Sequence, residues 1–423
     1  MSQTQPDKTH LPSSKTLAKA TAVFGGASAF SVLAALVRSK VAAVTIGPAG
    51  VGLNALYVTI SNLVATLMSC GLLSSSVPTL CQAEGEEQRQ RVRYLRLLGC
   101  LLAVLSIPVT CIVALFYSPQ VFWLSIPVVA LVLSGIETAV MKSLQATRML
   151  TTSLIATAVI SVVCTIPFFI WLGIDGVIWA VVCTVTLSSL VTCVLGYRVC
   201  DAMPSFRLWG RGLWDNARPM LVLGVAFLVS GVMAQGVDLI NQMWIESVAT
   251  LAMVGLYKAG YQLSVTYTSM IFTAIANDFF PRLSSIAQDL DARNRLITQQ
   301  IRVLMYIVVP LILLFVILVP WVVPLLFSQE FLPIIPMVRV AALAIIAKAI
   351  YLPLCYLPIA LKCSKHYLFL EVTSWTSLCL CILGGYHLFG LLGAGCGILV
   401  ANVFDLIVAW IFCRCKYSFR LTR

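Results

Sequence analysis

Long apolar runs separated by short polar breaks cover nearly the whole chain. They fall at about 19–45, 50–78, 96–117, 121–142, 152–173, 176–198, 216–237, 247–275, 302–327, 333–361, 366–388 and 391–413. A helix needs ~20 apolar residues to cross the hydrocarbon core of a bilayer. Backbone polar groups cannot stay unpaired in lipid, so only helices and closed barrels span it. A barrel would read as ~10-residue segments of alternating polarity, and these runs do not alternate. The pattern predicts an all-α polytopic membrane protein of about 12 transmembrane helices.

The charges in the breaks orient those helices. With the N-terminus inside, the inner segments hold 23 of the 28 Lys and Arg residues, including Arg89, Arg91, Arg93 and Arg96 in one break and Arg282, Arg293, Arg295 and Arg302 in another. The outer loops, around 47–50, 118–120, 173–175, 238–246, 328–331 and 387–390, hold no Lys or Arg. This is the asymmetry of the positive-inside rule, and it puts both termini in the cytoplasm. The expected organisation is a disordered cytoplasmic tail at 1–18, an N-lobe at 19–198, a cytoplasmic linker at 199–215, a C-lobe at 216–413 and a tail at 414–423. The first 16 residues are polar and lack the apolar stretch of a cleavable signal.

Composition agrees. The 423 residues are 60% hydrophobic and 10% charged, with a mean hydropathy of +0.98. Soluble chains carry roughly a quarter charged residues. The net charge of +12 would suggest a nucleic-acid partner in a soluble protein; here it follows from orientation, and no nucleic acid is expected. Most of the 15 cysteines lie in apolar runs, where Cys acts as a small hydrophobe. No Cys/His cluster has metal-ligand spacing, so neither a metal nor another cofactor is expected.

The chain repeats internally. Residues 51–80 align without gaps on 254–283: Val51-Gly-Leu53 matches Val254-Gly-Leu256, Ser61 matches Ser264, and Pro78 and Leu80 match Pro281 and Leu283. Gly173 and Gly176 likewise echo Gly390 and Gly393. Equivalent helices start on the same side, so the repeat is parallel. Parallel repeats imply two six-helix lobes with the substrate path between them.

Five basic residues lie inside predicted spans: Arg38, Lys40, Lys258, Arg339 and Lys348. A central Lys or Arg costs ~2.5–3.5 kcal/mol on insertion scales. One reading is a wet cationic cavity for an anionic headgroup; the other is interhelical ion pairs and snorkelling. Tyr261 and Gln262 follow Lys258 by three and four residues and share its face. Arg339 and Lys348 lie nine residues apart, about half a turn out of phase, so they cannot face one point. Asn62, central in the second run, could line the cavity or join helices. Glu371 and Asp405 sit at matching depth, ~10 Å from the cytoplasmic face at 1.5 Å per residue. They suit a Na⁺ or H⁺ coupling site, or pairing with Lys348. Glu137 and Asp278 read as interfacial or paired. Prolines at 108, 127, 167, 310, 320, 353 and 358 predict kinks. The stretch Ser284–Gln300 predicts an interfacial amphipathic helix, and the glycines at 395 and 397 predict helix packing rather than a phosphate loop.

Several segments resemble a known family. Ile46-Gly-Pro-Ala-Gly-Val-Gly-Leu53 resembles the turn between the first two helices of Wzx-type O-antigen translocases. So do Met141-Lys-Ser-Leu-Gln-Ala-Thr-Arg-Met-Leu-Thr-Thr-Ser-Leu-Ile155, Val254-Gly-Leu-Tyr257, Pro281-Arg-Leu-Ser284, and Ile359-Ala-Leu-Lys362 through Leu370-Glu-Val372. The likeness runs in order through nearly the whole chain. The family lies in the multidrug/oligosaccharidyl-lipid/polysaccharide exporter superfamily. The resemblance implies two six-helix lobes, a cationic lumen and rocker-type alternating access in a bacterial inner membrane. It implies an undecaprenyl-diphosphate-linked oligosaccharide as substrate. Moving it needs no bond chemistry, and the protein is expected to act as a monomer beside polysaccharide-assembly proteins. Glu371 matches the acid of the family's eleventh-helix motif.

A diphosphate needs cations in a low-dielectric cavity, which the five intramembrane cations would supply. A cation-coupled multidrug antiporter of the same superfamily would prefer acidic lumen groups. A membrane polysaccharide polymerase or ligase would need a large external loop, and the longest outer loop here, around 238–246, has no His or Arg.

Overall fold

The computed structural model describes residues 14–83, 85–203, 211–266, 272, 279–280, 282–361 and 363–420. The elements run α1 (Ser14–Thr45), α2 (Gly47–Met68), α3 (Leu72–Cys81), α4 (Gly85–Phe116), α5 (Ser125–Ser143), α6 (Thr147–Leu172), α7 (Gly176–Val199), α8 (Arg211–Val248), α9 (Leu251–Tyr261), α10 (Leu290–Leu326), α11 (Ile335–Ala360) and α12 (Ser364–Tyr417). A π-helical turn, Gln262–Thr266, extends α9. No strand occurs among the described residues.

Among those residues, nine helical stretches are long and apolar enough to cross a membrane. Two of them, Thr147–Val199 and Lys365–Tyr417, are 53 residues long. Each is a hairpin that turns at a glycine. Gly173 and Gly390 both hold φ +59, with ψ −132 and −137, a conformation that a Cβ would strain. Large apolar side chains such as Phe116 (89% exposed) and Trp171 (81%) face outward. Hydrocarbon, not water, accommodates such a surface. The chain is a multi-pass membrane protein.

Equivalent turns recur in the two halves of the chain. A 3₁₀ turn at Pro119–Leu124 joins α4 to α5, and one at Gln329–Ile334 joins α10 to α11. Each buries its third and sixth residues, Val121 and Leu124 in one and Phe331 and Ile334 in the other. The caps after α5 and α11, at Leu144 and Leu361, share φ −85 and ψ 5. The halves meet where α2 packs on α8 and α9. A Cβ on Gly52 would stand 2.3 Å from the Leu251 carbonyl oxygen, and one on Gly255 would stand 1.9 Å from that of Pro48. Those four residues obey the 203-residue offset of the sequence repeat. The contact is therefore reciprocal, as across a two-fold axis.

Three expectations need correcting. The run 50–78 is two helices, because Cys70 (φ 49) and Gly71 (φ 71) turn the chain at its inner third, where Gly71 touches the Gly224 backbone. The seventh helix does not stop at Val237: α8 continues to Val248, so Asp238 and Glu246 are helical residues rather than loop residues. Ser284–Gln300 is not one interfacial helix. Asp289 caps a new start by accepting from the Asp291 and Ala292 amides, and α10 runs on from there as a membrane span.

Candidate functional site

Three cavities run from between the halves into the second half, sharing walls. The central one, about 360 Å³, is bounded by α1 and α2 on one side and α8 and α9 on the other. Arg38, Asn62, Lys258 and Gln262 line it, together with Thr59 and Asp238. A connecting cavity of about 210 Å³ keeps Asp238 and Lys258 in its wall and adds Tyr261, Asn241 and Trp375. The third, about 250 Å³, lies among α11 and both arms of α12; Tyr261 and Trp375 recur in its wall, joined by Lys348, Glu371 and Asp405.

Lys258 ion-pairs with Asp238 one helix away, and the two side chains are 23% and 22% exposed. Its ammonium also lies 5.9 Å from the centre of the Tyr261 ring, within cation–π range. Asp238 accepts from Thr59 Oγ1 at 3.3 Å, and Gln242 Nε2 donates to that same hydroxyl at 3.0 Å. A short polar network thus ties α2 to α8 and α9 at the cavity. The π turn directly after α9 places Gln262 and Thr266 in the central wall. Such turns break the regular ladder and often mark functional positions.

In the third cavity Lys348 makes no ion pair and no hydrogen bond among the described residues. It faces the field of both Glu371 and Asp405. Those carboxylates are held by other groups. Glu371 accepts from Ser230 Oγ and Trp375 Nε1, each at 3.1 Å, which links α12 to α8. Asp405 accepts from Ser374 Oγ at 2.6 Å and Ser377 Oγ at 2.7 Å.

Two of the five predicted cations stand elsewhere. Lys40 lines none of the three cavities. It donates to the carbonyls of Pro324, at 2.9 Å, and of Phe327. The last carbonyls of a helix lack partners within it and attract cations, so Lys40 caps α10 from α1. Arg339 is exposed and donates to the Val316 carbonyl at 3.2 Å. It and Lys348 point to opposite sides of α11, as their spacing predicts. Outside the cavities, Arg96 and Glu137 form a bidentate pair at 2.7 and 2.6 Å with almost no exposure. Arg96 also bonds the Cys200 and Ala202 carbonyls at 2.8 Å each, so Glu137 is paired, as one reading of the sequence had it. Asp278 lies outside the described residues.

Sequence reasoning missed Asp238, Thr59 and Trp375. The charge of Asp238 ends the apolar count and makes it read as a loop residue. The continuing run Leu239, Ile240, Trp244 and Ile245 is the signal that the helix goes on.

Residues 41–336 match the model of a family described as polysaccharide biosynthesis protein. The chain belongs to that family. No curated protein sequence matches it. Its fold is that of the MOP superfamily. An inward-facing multidrug resistance MATE family transporter superposes with a TM-score of 0.77 at 12% identity, covering 92% of this chain and 94% of that one. An outward-facing MATE transporter gives 0.64 at 12% identity, covering 95% and 96%. The lipid II flippase MurJ, in an inward closed conformation, gives 0.66 at 13% identity, covering 93% and 87%. The family match and this fold bear out the resemblance to Wzx-type translocases.

Proposed function

We propose that this membrane protein flips an undecaprenyl-diphosphate-linked oligosaccharide, an O-antigen or related repeat unit, from the cytoplasmic to the outer leaflet of a bacterial inner membrane. The observation that carries this reading is the central cavity, walled by both halves and lined by Arg38 and Lys258. Cations in a low-dielectric, partly wet site hold a diphosphate far more strongly than they would in bulk water. The sugars ride in the cavities while the polyprenyl tail stays in lipid between two six-helix lobes. Alternating access then moves the lobes about the glycine contact of Gly52 and Gly255.

Glu371 and Asp405 are proposed to take up H⁺ or Na⁺ and so couple the cycle to an ion gradient. Their presence in a cavity wall favours a second reading, a cation-coupled multidrug antiporter. The test is reconstitution in proteoliposomes carrying the lipid-linked oligosaccharide, with leaflet exposure read by an impermeant reagent. Protein-dependent exposure supports the flippase. Its absence, together with efflux of cationic dyes, supports the antiporter.

A further inference from the structure

We propose that the third cavity, among α11 and both arms of α12, is a carbohydrate subsite that holds a pyranose ring of the substrate while the diphosphate occupies the central cavity. This inference rests on the flippase reading above.

The lining carries it. Tyr351, Tyr367 and Trp375 share this wall with Tyr261, and Asn402, Ser374, Glu371 and Asp405 stand among them. A pyranose has two apolar C–H faces and a rim of hydroxyls. Flat aromatic rings cover the first, and carboxylates, amides and phenols bond the second. Few other ligands need both chemistries in one small space. A lipid tail would strand two carboxylates and Lys348 in hydrocarbon. At about 250 Å³ the space suits one ring and is ample for an ion.

Two buried polar groups short of strong partners point the same way. The Tyr351 hydroxyl is buried, its residue only 8% exposed, with only the Cys355 thiol, a weak hydrogen-bonding group, beside it in this wall. The amide oxygen of Asn241, in the wall of the connecting cavity, is buried and unpartnered. Buried polar atoms without partners are costly, and a sugar hydroxyl is a partner that each would accept. Trp375 is fixed by its bond to Glu371 and stands in the walls of both the connecting and the third cavity. A saccharide leading away from a diphosphate at Lys258 therefore meets Trp375 along the shared walls.

The test measures binding of two lipids to the purified full-length protein in detergent. The probes are undecaprenyl diphosphate, and the lipid-linked oligosaccharide extracted from source cells depleted of this protein. Wild type is expected to bind the sugar-bearing lipid more tightly. Trp375→Ala and Tyr351→Phe should each remove about tenfold of that preference and leave undecaprenyl diphosphate binding unchanged, whereas Trp375→Phe keeps most of it. Tyr351→Phe deletes one atom and guards against a variant that fails to fold. If these variants weaken both lipids alike, or neither, the sugar subsite is overturned and the flippase reading stands. If wild type binds neither lipid, both are overturned.

Discussion

Lys40 reaches from α1 to the Phe327 carbonyl at the end of α10, joining the first half of the chain to the second. Phe327 itself forms part of the central cavity wall. Lys40 is thus placed as a latch on one side of that cavity. Lys40→Met should loosen the latch, while Lys40→Arg should preserve much of it. In a background without reactive cysteines, Cys placed at Asn54 in the cavity wall should label severalfold faster with an external impermeant maleimide in the Lys40→Met variant. Equal rates would show that the contact does not hold the cavity shut.

The Lys258–Asp238 pair predicts a double-mutant signature. Removing one partner of a poorly exposed ion pair leaves an uncompensated charge, which costs about 3–5 kcal/mol when burial is complete and less here. Lys258→Ala and Asp238→Asn should each lower the melting temperature in detergent. The double variant should recover part of that loss, because nothing is then left unpaired. All three should fail to complement a flippase-deficient cell. Additive losses in melting temperature would mean that the pair is not an energetic unit.

Arg96 and Glu137 are closer to the fully buried limit, with side chains 1% and 4% exposed. Glu137→Leu leaves Arg96 with carbonyl partners and the Tyr197 ring but no counter-charge. The expected cost is about 3–5 kcal/mol, seen as reduced yield of folded protein and a lower melting temperature. Any protein that does fold should keep the wild-type lipid preference, since neither residue lines any of the three cavities. A change in preference with normal stability would contradict this assignment.

The ion-coupling proposal predicts a different phenotype for the acids of α12. Asp405→Asn keeps the shape and the serine contacts but cannot take up a cation. Transport in proteoliposomes should then lose most of its dependence on an imposed ion gradient, and Glu371→Gln should do the same. Dependence unchanged in both variants would remove the coupling role.

Much of this was readable from residues. Run length gave the helical class, and the turns at Gly173 and Gly390 appear as paired echoes. The half-turn offset between Arg339 and Lys348 already required one of them to leave the cavity. Which one left was not readable, because hydropathy carries no direction: Arg339 faces outward and bonds a neighbouring carbonyl, while Lys348 faces two carboxylates. Lys40 reads as a lumen cation in the sequence because its partners are backbone carbonyls, which a sequence does not show. Asp238 looked like a loop residue because its charge is neutralised by Lys258, twenty positions away. The break between α2 and α3 was hidden because Ser69, Cys70 and Gly71 are compatible with an apolar run until tertiary contact with Gly224 bends them.

The central claim is that Arg38 and Lys258 hold the diphosphate of the substrate by charge in the central cavity. Lipid-linked oligosaccharide flipping in proteoliposomes, compared between wild type, Arg38→Ala, Lys258→Ala and Lys258→Arg, tests it most directly. The account predicts at least a tenfold loss in both alanine variants, despite normal insertion, and substantial retention in Lys258→Arg. Wild-type flipping by both alanine variants would contradict it.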